Sequence, residues 1–156
     1  MARLRIDLPA SFPFTTEIAV RISDINYGGH LGNDAVLSII HEARVRFLKH
    51  HGYAEHNIEG SGILMSDAAV LYKAEGFYGD VLTVDVAVGD IENVRCDFYY
   101  RLTKKENGRE IARAKTGIVF YDYASRKTVG VPEEFRKKFA FGTEETGSFR
   151  PTTTAG

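Results

Sequence analysis

The chain has 156 residues and carries 20 Lys and Arg against 21 Asp and Glu, so its formal charge is −1. This length suits one domain with its own core, and the lack of a basic excess argues against nucleic-acid binding. Cys96 is the single cysteine, which excludes an internal disulfide and favours a reducing, cytoplasmic location. No apolar run approaches the ~20 residues of a membrane-spanning helix, so no membrane association is expected.

The sequence predicts one strand, then one long helix, then four further strands. β-Branched residues predict a first strand at 14–22, and apolar residues at helical spacing predict one long helix after it. Asn33 stands where an N-cap belongs, and a basic last turn followed by Gly52 marks the helix end. Four further strands are predicted at 63–73, 81–91, 94–104 and 110–123.

The C-terminal part is predicted to be short and irregular. Val131 to Phe135 predicts a short helix opened by proline, and the polar residues 143–156 predict a disordered tail after a single domain at 1–142.

One helix and five antiparallel strands predict an α+β layer pair in which the sheet wraps around the helix. Because such a sheet has unpaired edges, we expect at least a homodimer.

The segment between the first strand and the long helix carries the chemistry. Residues 27–33 read Tyr-Gly-Gly-His-Leu-Gly-Asn. Glycines let a ligand approach the backbone, and a helix N-terminus offers unpaired N–H groups that stabilise an oxyanion. His30 within this run can form hydrogen bonds or carry a proton. This combination suits a reaction that develops negative charge on a carbonyl oxygen.

The same residues carry a family resemblance. Asp24-Ile25-Asn26, then Gly29-His30 and Asn33, and Glu42-Ala43-Arg44 on the helix resemble the hotdog-fold acyl-coenzyme A thioesterases, in the branch of 4-hydroxybenzoyl-coenzyme A thioesterase. The resemblance extends from about Phe14 to Phe135. It implies a five-stranded antiparallel sheet around one central helix, and cofactor-free hydrolysis of an acyl-coenzyme A thioester. It further implies a homodimer or tetramer with its sites at the dimer interface.

The resemblance also implies roles for individual residues. The amide N–H of Gly32 or Asn33 would receive the thioester carbonyl oxygen. Substrate contacts would come from residues of the loop, the helix start and the second strand: Asp24, Gly29, Gly32, Asn33 and Tyr72. Apart from the resemblance, one cysteine and the lack of a His-Glu-x-x-His spacing mean that no metal is expected.

Position 26 departs from the family pattern, which has an acidic residue there. The Asn26 amide cannot take a proton at neutral pH. Asn26 and His30 are therefore expected to position the thioester or water, while Glu42 or Asp67 is expected to supply the general base. Asp24 and Asp34 rank below them.

Structural explanations compete with these roles. Asp24 can close an Asx-turn, and Glu42 can pair with Arg46 four residues later. Four other histidines are expected to face solvent: His41, His50, His51 and His56.

The sequence leaves three functions open. The first is hydrolysis of a small or medium acyl or aryl thioester of coenzyme A or of acyl carrier protein. The second is a non-catalytic hotdog module that binds an acyl thioester, with Asn26 marking a lost base. The third is an enoyl-thioester hydratase or dehydratase, although no hydratase motif is present.

Overall fold

The computed structural model describes residues 3–147, with the backbone alone for 141–147. A short 3-10 turn, Ile22–Asp24, follows the first strand. The remaining elements, in chain order, are β1 (Phe14–Ala19), α1 (Asn33–His50), β2 (Gly62–Tyr72), β3 (Val81–Gly89), β4 (Arg95–Lys104), β5 (Glu110–Asp122), β6 (Lys127–Thr128) and α2 (Glu133–Gly147).

The strands form one antiparallel sheet in the order β1-β3-β4-β5-β2, and the two-residue β6 adds to β5. The α+β prediction and its five long strands are confirmed. β1 and β2 lie at the two edges, so each pairs with one neighbour and leaves its other side open. On β2 the open edge includes Leu64 and Met65, which are 40% and 52% exposed.

The core lies between the sheet and α1. Alternate residues of β3 point into it, as their period-two pattern predicts: Leu82, Val84, Val86 and Val88. From α1, Phe47 is fully buried and packs edge-on against Phe14 and Phe98, with ring centroids 5.7 and 5.6 Å apart. Burial of one helix stripe against one sheet face therefore holds the two layers together.

The N-terminal segment crosses the outer face of the sheet, which is the face opposite α1. Ile6 is buried there, and its carbonyl accepts a hydrogen bond of 3.0 Å from Arg113 on β5. The Phe12 ring lies 4.9 Å from the Arg101 guanidinium on β4. Because the N-terminal segment covers it, the outer face is less exposed to solvent than the alternation of apolar and polar residues along β3 predicts.

Two predictions about the C-terminal part require correction. The predicted short helix at 131–135 is the start of the much longer α2, because Phe135 and Phe139 recur at helical spacing and both pack on the core. Residues 143–147 of the predicted tail continue this helix, and residues 148–156 lie outside the described residues.

His51 differs from its predicted exposure. Its ring packs between Phe47 and Phe139, and its buried Nε2 atom has no hydrogen-bond partner in the described part of the chain. Burial, and then the neighbouring His50 and Lys138, lower the pKa of His51. The long α2 explains this burial, because it covers the C-terminal end of α1.

Candidate active site at the N-terminus of the long helix

The glycine loop, residues 25–32, is closed by its own backbone. The Asn26 N–H donates to the His30 carbonyl at 2.8 Å, and the Gly29 N–H donates to the Asn26 carbonyl at 3.0 Å. Gly29 has a φ of +81°, a conformation that residues with a Cβ adopt only under strain. The loop therefore has a defined shape and holds His30 at a fixed place.

The Asn26 side chain acts as a brace for this loop. Its Oδ1 atom accepts hydrogen bonds from the backbone N–H groups of Gly28 at 2.9 Å and His30 at 3.3 Å. Because both partners are donors, the accepting atom must be the amide oxygen, and the Nδ2 group points away from these contacts. Asn26 thus makes the Asx-turn that was expected at Asp24.

Asp24 has a different structural role. Its carboxylate is buried, accepts the Arg21 backbone N–H at 2.8 Å, and lies 3.4 Å from the Arg21 guanidinium. Its backbone carbonyl accepts the Gly32 N–H at 2.9 Å. Asp24 therefore joins the end of β1 to the start of α1, and the Asx-turn predicted for it is wrong.

The start of α1 is shifted by one residue from the prediction. Gly32 is the N-cap and Asn33 is the first helical residue. A Cβ at position 32 would lie 2.7 Å from Asp34 Oδ1, which explains why glycine replaces the usual capping side chain. The Gly32 N–H is already bonded to Asp24, so Gly32 is not a free donor for substrate.

Two first-turn N–H groups remain open. The Ala35 N–H donates to Gly32, whereas the N–H groups of Asn33 and Asp34 have no acceptor among the described residues. Both residues are exposed. Unpaired N–H groups together with the helix dipole favour negative charge at this point.

His30 and Tyr72 lie beside the same helix end. The Tyr72 hydroxyl donates to the Asn33 carbonyl at 2.9 Å. His30 Nε2 lies 3.5 Å from Glu75 Oε2, and the His30 ring meets the Phe77 ring edge-on at 5.2 Å. The structure thus brings together Asn26, Gly29, His30, Asn33 and Tyr72 of the predicted site residues.

Glu42 lies further along α1, in a groove of about 400 Å³ between α1 and β1 that Asp24 also lines. Nine residues separate it from the helix start, which is about 13 Å along the axis. Its carboxylate lies 3.0 Å from Arg46 Nε, so the predicted pairing is confirmed. Arg46 also donates to Thr16 and to the Glu17 carbonyl, which fixes this ion pair against β1.

Asp67 lies on the outer face of the sheet. It pairs with Gly117 of β5, and its carboxylate lies 3.6 Å from Arg95. Arg95 also contacts Asp97 at 3.1 Å. Burial raises the pKa of Asp97, although Lys115 and Arg95 act in the opposite direction. Within one chain, the sheet therefore separates Asp67 from the glycine loop.

Arg44, the last residue of the Glu-Ala-Arg motif, is buried beneath α1. Its Nη1 donates to the Tyr100 hydroxyl at 3.1 Å, and its Nε lies 3.4 Å from Glu55. Burial opposes the charge of Arg44, but the contacts with Tyr100 and Glu55 outweigh it and raise the pKa of Arg44. His41 is exposed, as predicted, and binds the same Glu55 at 2.6 Å.

Two searches of the structure are negative within the part of the chain that it describes. Over residues 3–147, no group of three or more His, Cys, Asp or Glu could hold a metal ion. No helix in that part combines the length and apolar character needed to cross a membrane.

A family model for the thioesterase-like superfamily matches residues 20–139, which is most of the chain. The chain belongs to the thioesterase-like superfamily. The match spans the glycine loop, the whole of α1 and all the predicted site residues. A search of curated proteins finds no match.

Solved structures of this superfamily share the fold. A 1,4-dihydroxy-2-naphthoyl-CoA thioesterase from Synechocystis has a TM-score of 0.74 at 23% identity, over 81% of this chain and 95% of that chain. A thioesterase-superfamily protein from Jannaschia sp. CCS1 has a TM-score of 0.77 at 17% identity, over 86% and 85%. A gentisyl-coenzyme A thioesterase has a TM-score of 0.71 at 17% identity, over 81% and 99%. The predicted hotdog fold is confirmed.

Sequence reasoning missed Glu75. It lies in the connection between β2 and β3, outside every motif of the glycine loop, and no spacing links it to His30. The signal that finds it is the backbone hydrogen bond of 2.8 Å from the Leu31 N–H to the Gly76 carbonyl, which joins the two loops.

Proposed function

We propose that this protein is an acyl-coenzyme A thioesterase, which hydrolyses a small or medium acyl or aryl thioester to the free acid and coenzyme A. The open N–H groups at the start of α1, beside His30 and Asn26, are the observation that carries this proposal. Family membership supports it. No cofactor is required, because water is the second substrate.

The helix N-terminus would stabilise the developing oxyanion. In thioester hydrolysis, negative charge grows on the carbonyl oxygen as water adds to the carbonyl carbon. Asn33 is an exposed residue whose N–H has no acceptor among residues 3–147, and the helix dipole adds to its attraction for negative charge. Removing one such donor typically costs about 100-fold or more in kcat.

Asn26 and His30 would position the substrates. With Oδ1 occupied by the loop, Asn26 offers its Nδ2 as a donor toward the thioester or water. Glu42 and Asp67 stay predictions for the general base, since Glu42 is paired with Arg46 and Asp67 lies across the sheet in the same chain.

A second copy of the chain would complete the site. The open edge of β2, with Leu64 and Met65 exposed in its N-terminal half, suits strand pairing across a two-fold axis. We propose a homodimer or a tetramer of two dimers, in which the second or third strand of one copy borders the glycine loop of the other. The single buried Cys96 favours a reducing, cytoplasmic location.

The test is a thiol-release assay with aliphatic and aromatic acyl-coenzyme A substrates, run beside an acyl carrier protein thioester. We expect turnover above the uncatalysed rate on at least one coenzyme A substrate. Turnover of the acyl carrier protein thioester alone would mean that the substrate is carried by acyl carrier protein and not by coenzyme A. No turnover of any thioester tested would contradict the proposal.

A binding module is the second candidate, and Asn26 favours it because the amide cannot act as a base. Calorimetry with the same acyl-coenzyme A panel separates the two functions. Binding without turnover would support the module, and turnover would exclude it.

A further inference from the structure

We propose that His30, in place of Glu42 or Asp67, is the general base of the reaction, and that Glu75 positions its imidazole. The His30–Glu75 pair would then supply the proton acceptor that Asn26 cannot be. This inference rests on the proposed thioesterase function. It assigns a role to Glu75, a residue of the connection between β2 and β3.

The two side chains are held together by their backbones. The Leu31 N–H donates to the Gly76 carbonyl at 2.8 Å, one residue beyond His30 and one beyond Glu75. A Cβ at position 76 would lie 3.1 Å from the Leu31 Cβ, so glycine permits this close approach. His30 Nε2 then lies 3.5 Å from Glu75 Oε2, at ion-pair distance.

The His30 ring is restricted on its other sides. It meets the Phe77 ring edge-on at 5.2 Å, and its backbone N–H is held by Asn26. Lys104 Nζ lies 4.9 Å from the centroid of the Phe77 ring and is paired with Asp80 at 3.4 Å. Among the described charged groups, Glu75 is therefore the one recorded within ion-pair distance of the imidazole.

The contact with Glu75 selects one ring nitrogen as the base. A carboxylate beside Nε2 favours the tautomer with the proton on Nε2, which leaves the lone pair on Nδ1. A Cβ at position 28 would lie 4.0 Å from Nδ1, at ordinary contact distance.

The step then balances without a further reactant. His30 Nδ1 takes one proton from water as the water oxygen bonds to the thioester carbonyl carbon. The open N–H groups at the start of α1 receive the carbonyl oxygen as it becomes negative. The carbon–sulfur bond breaks, and the leaving thiolate takes the proton from His30. The products are the carboxylic acid and the free thiol, and His30 returns to its neutral form.

Glu75 suits this role better than Glu42 within one chain. The Glu42 carboxylate is paired with Arg46, whose permanent charge makes it a poor proton acceptor. For Glu75, His30 is the basic partner recorded among the described residues, and no arginine or lysine competes for its carboxylate.

The experiment compares His30→Asn, Glu75→Gln and Glu75→Asp with wild type on the best substrate of the thiol-release panel. Glu106→Gln, an exposed glutamate of the hairpin between β4 and β5, is the matched control. Circular dichroism and thermal unfolding confirm that each variant folds. The measurement is kcat and KM of each variant by steady-state thiol release.

We expect His30→Asn to lose about 100-fold or more in kcat, the usual contribution of a general base. Glu75→Gln should lose several-fold in kcat. This loss should fall on kcat while KM stays unchanged, because Glu75 holds the imidazole and does not bind the substrate. Glu75→Asp keeps the carboxylate and should restore most of the lost kcat. Glu106→Gln should match wild type.

Two results would overturn the pair while leaving the thioesterase intact. One is wild-type kcat in Glu75→Gln, or a loss that falls on KM alone. The other is full activity in His30→Asn with a large loss in Glu42→Gln or Asp67→Asn. If wild type turns over no thioester, the proposed function itself fails, and the pair fails with it.

Discussion

The start of α1 and the outer face of the sheet are both polar, but they satisfy their polar groups in different ways. On the outer face, Arg95 contacts both Asp67 and Asp97, and Arg113 binds Glu110 through two nitrogens. At the start of α1, backbone N–H groups stay open and His30 keeps one ring nitrogen free of ionic contact.

This difference indicates which region can do chemistry. A carboxylate that is matched by an arginine is stabilised in its charged form and resists taking a proton. An unpaired N–H group, in contrast, can interact more strongly with the transition state than with any group of the free protein. Charge density alone would have favoured the outer face, whereas the unmet hydrogen-bonding capacity favours the helix start.

The largest expected effect comes from removing the brace of the glycine loop. Asn26→Ala loses the oxygen that accepts the Gly28 and His30 N–H groups, so both the loop and His30 lose their fixed position. We expect kcat/KM to fall about 100-fold. The measurement is steady-state thiol release.

Asn26→Asp is the matched variant, because it keeps an oxygen at the same place and both N–H contacts. Its loss should be clearly smaller than that of Asn26→Ala, about 10-fold at most. Equal losses in the two variants would show that the brace is not what Asn26 contributes.

Two glycines with positive φ make it possible to separate the cost of backbone strain from an effect on activity. Gly29 and Gly108 have φ angles of +81° and +71°, and a Cβ at either position would meet no atom within 4 Å. Alanine should therefore cost about 1–2 kcal/mol of folding free energy at both positions. Gly29→Ala should also lower kcat/KM about 10-fold, while Gly108→Ala, in a distant hairpin, should not. Equal activity in the two variants would show that the glycine loop is not part of the active site.

The fold was predictable from sequence because its signals are local. The period-two pattern of β3 and the apolar stripe of α1 identify the elements and the faces they bury. The length of α2 was missed, because Thr143 and Gly147 lie in a polar run whose helical state depends on Phe135 and Phe139 packing on the core.

The candidate site was predictable only in part. Asn26 and His30 were found because they lie in one continuous run with the helix start. Glu75 reaches His30 through the meeting of two loops that are 45 positions apart in the chain, and no periodicity encodes that meeting. Asp67 was assigned to the site as a carboxylate of the second strand, but the face of the sheet on which it lies depends on the irregular pairing between Met65 and Asp67.

On the outer face, the pairing of Glu110 with Arg113 should affect the free energy of unfolding and its dependence on pH. Hydrogen bonds from Arg113, at 2.7 and 2.9 Å, lower the pKa of Glu110 below its ordinary value of 4.5. The ionised pair therefore stabilises the fold above that value, and this contribution is lost as the pH falls through the lowered pKa.

Glu110→Gln should cost about 1 kcal/mol at neutral pH and flatten the acid side of the stability curve. Urea unfolding between about pH 7 and pH 3 measures both effects. Activity should stay near that of wild type, since Glu110 is part of the outer face. A variant whose stability changes in parallel with wild type at every pH would contradict the assignment to this pair.

The smallest effect tests the hydroxyl of Tyr72, and the chain supplies an unusually close control. Tyr72 donates to the Asn33 carbonyl and Tyr123 to the Ile63 carbonyl, each at 2.9 Å, and the two residues are 48% and 54% exposed. Phenylalanine at either position removes one half-exposed hydrogen bond, so both variants should lose well under 1 kcal/mol in unfolding free energy.

Activity should distinguish these two tyrosines. Only Tyr72 contacts the first residue of α1, whose N–H we propose as the oxyanion donor, so Tyr72→Phe should lower kcat about threefold while Tyr123→Phe leaves it unchanged. A fall in kcat without a change in KM would mean that the hydroxyl aligns the helix start for the transition state. A change confined to KM would mean that Tyr72 contributes to ground-state binding of the substrate instead. Equal kcat in both variants would show that the Tyr72 hydroxyl of β2 has no role in the active site.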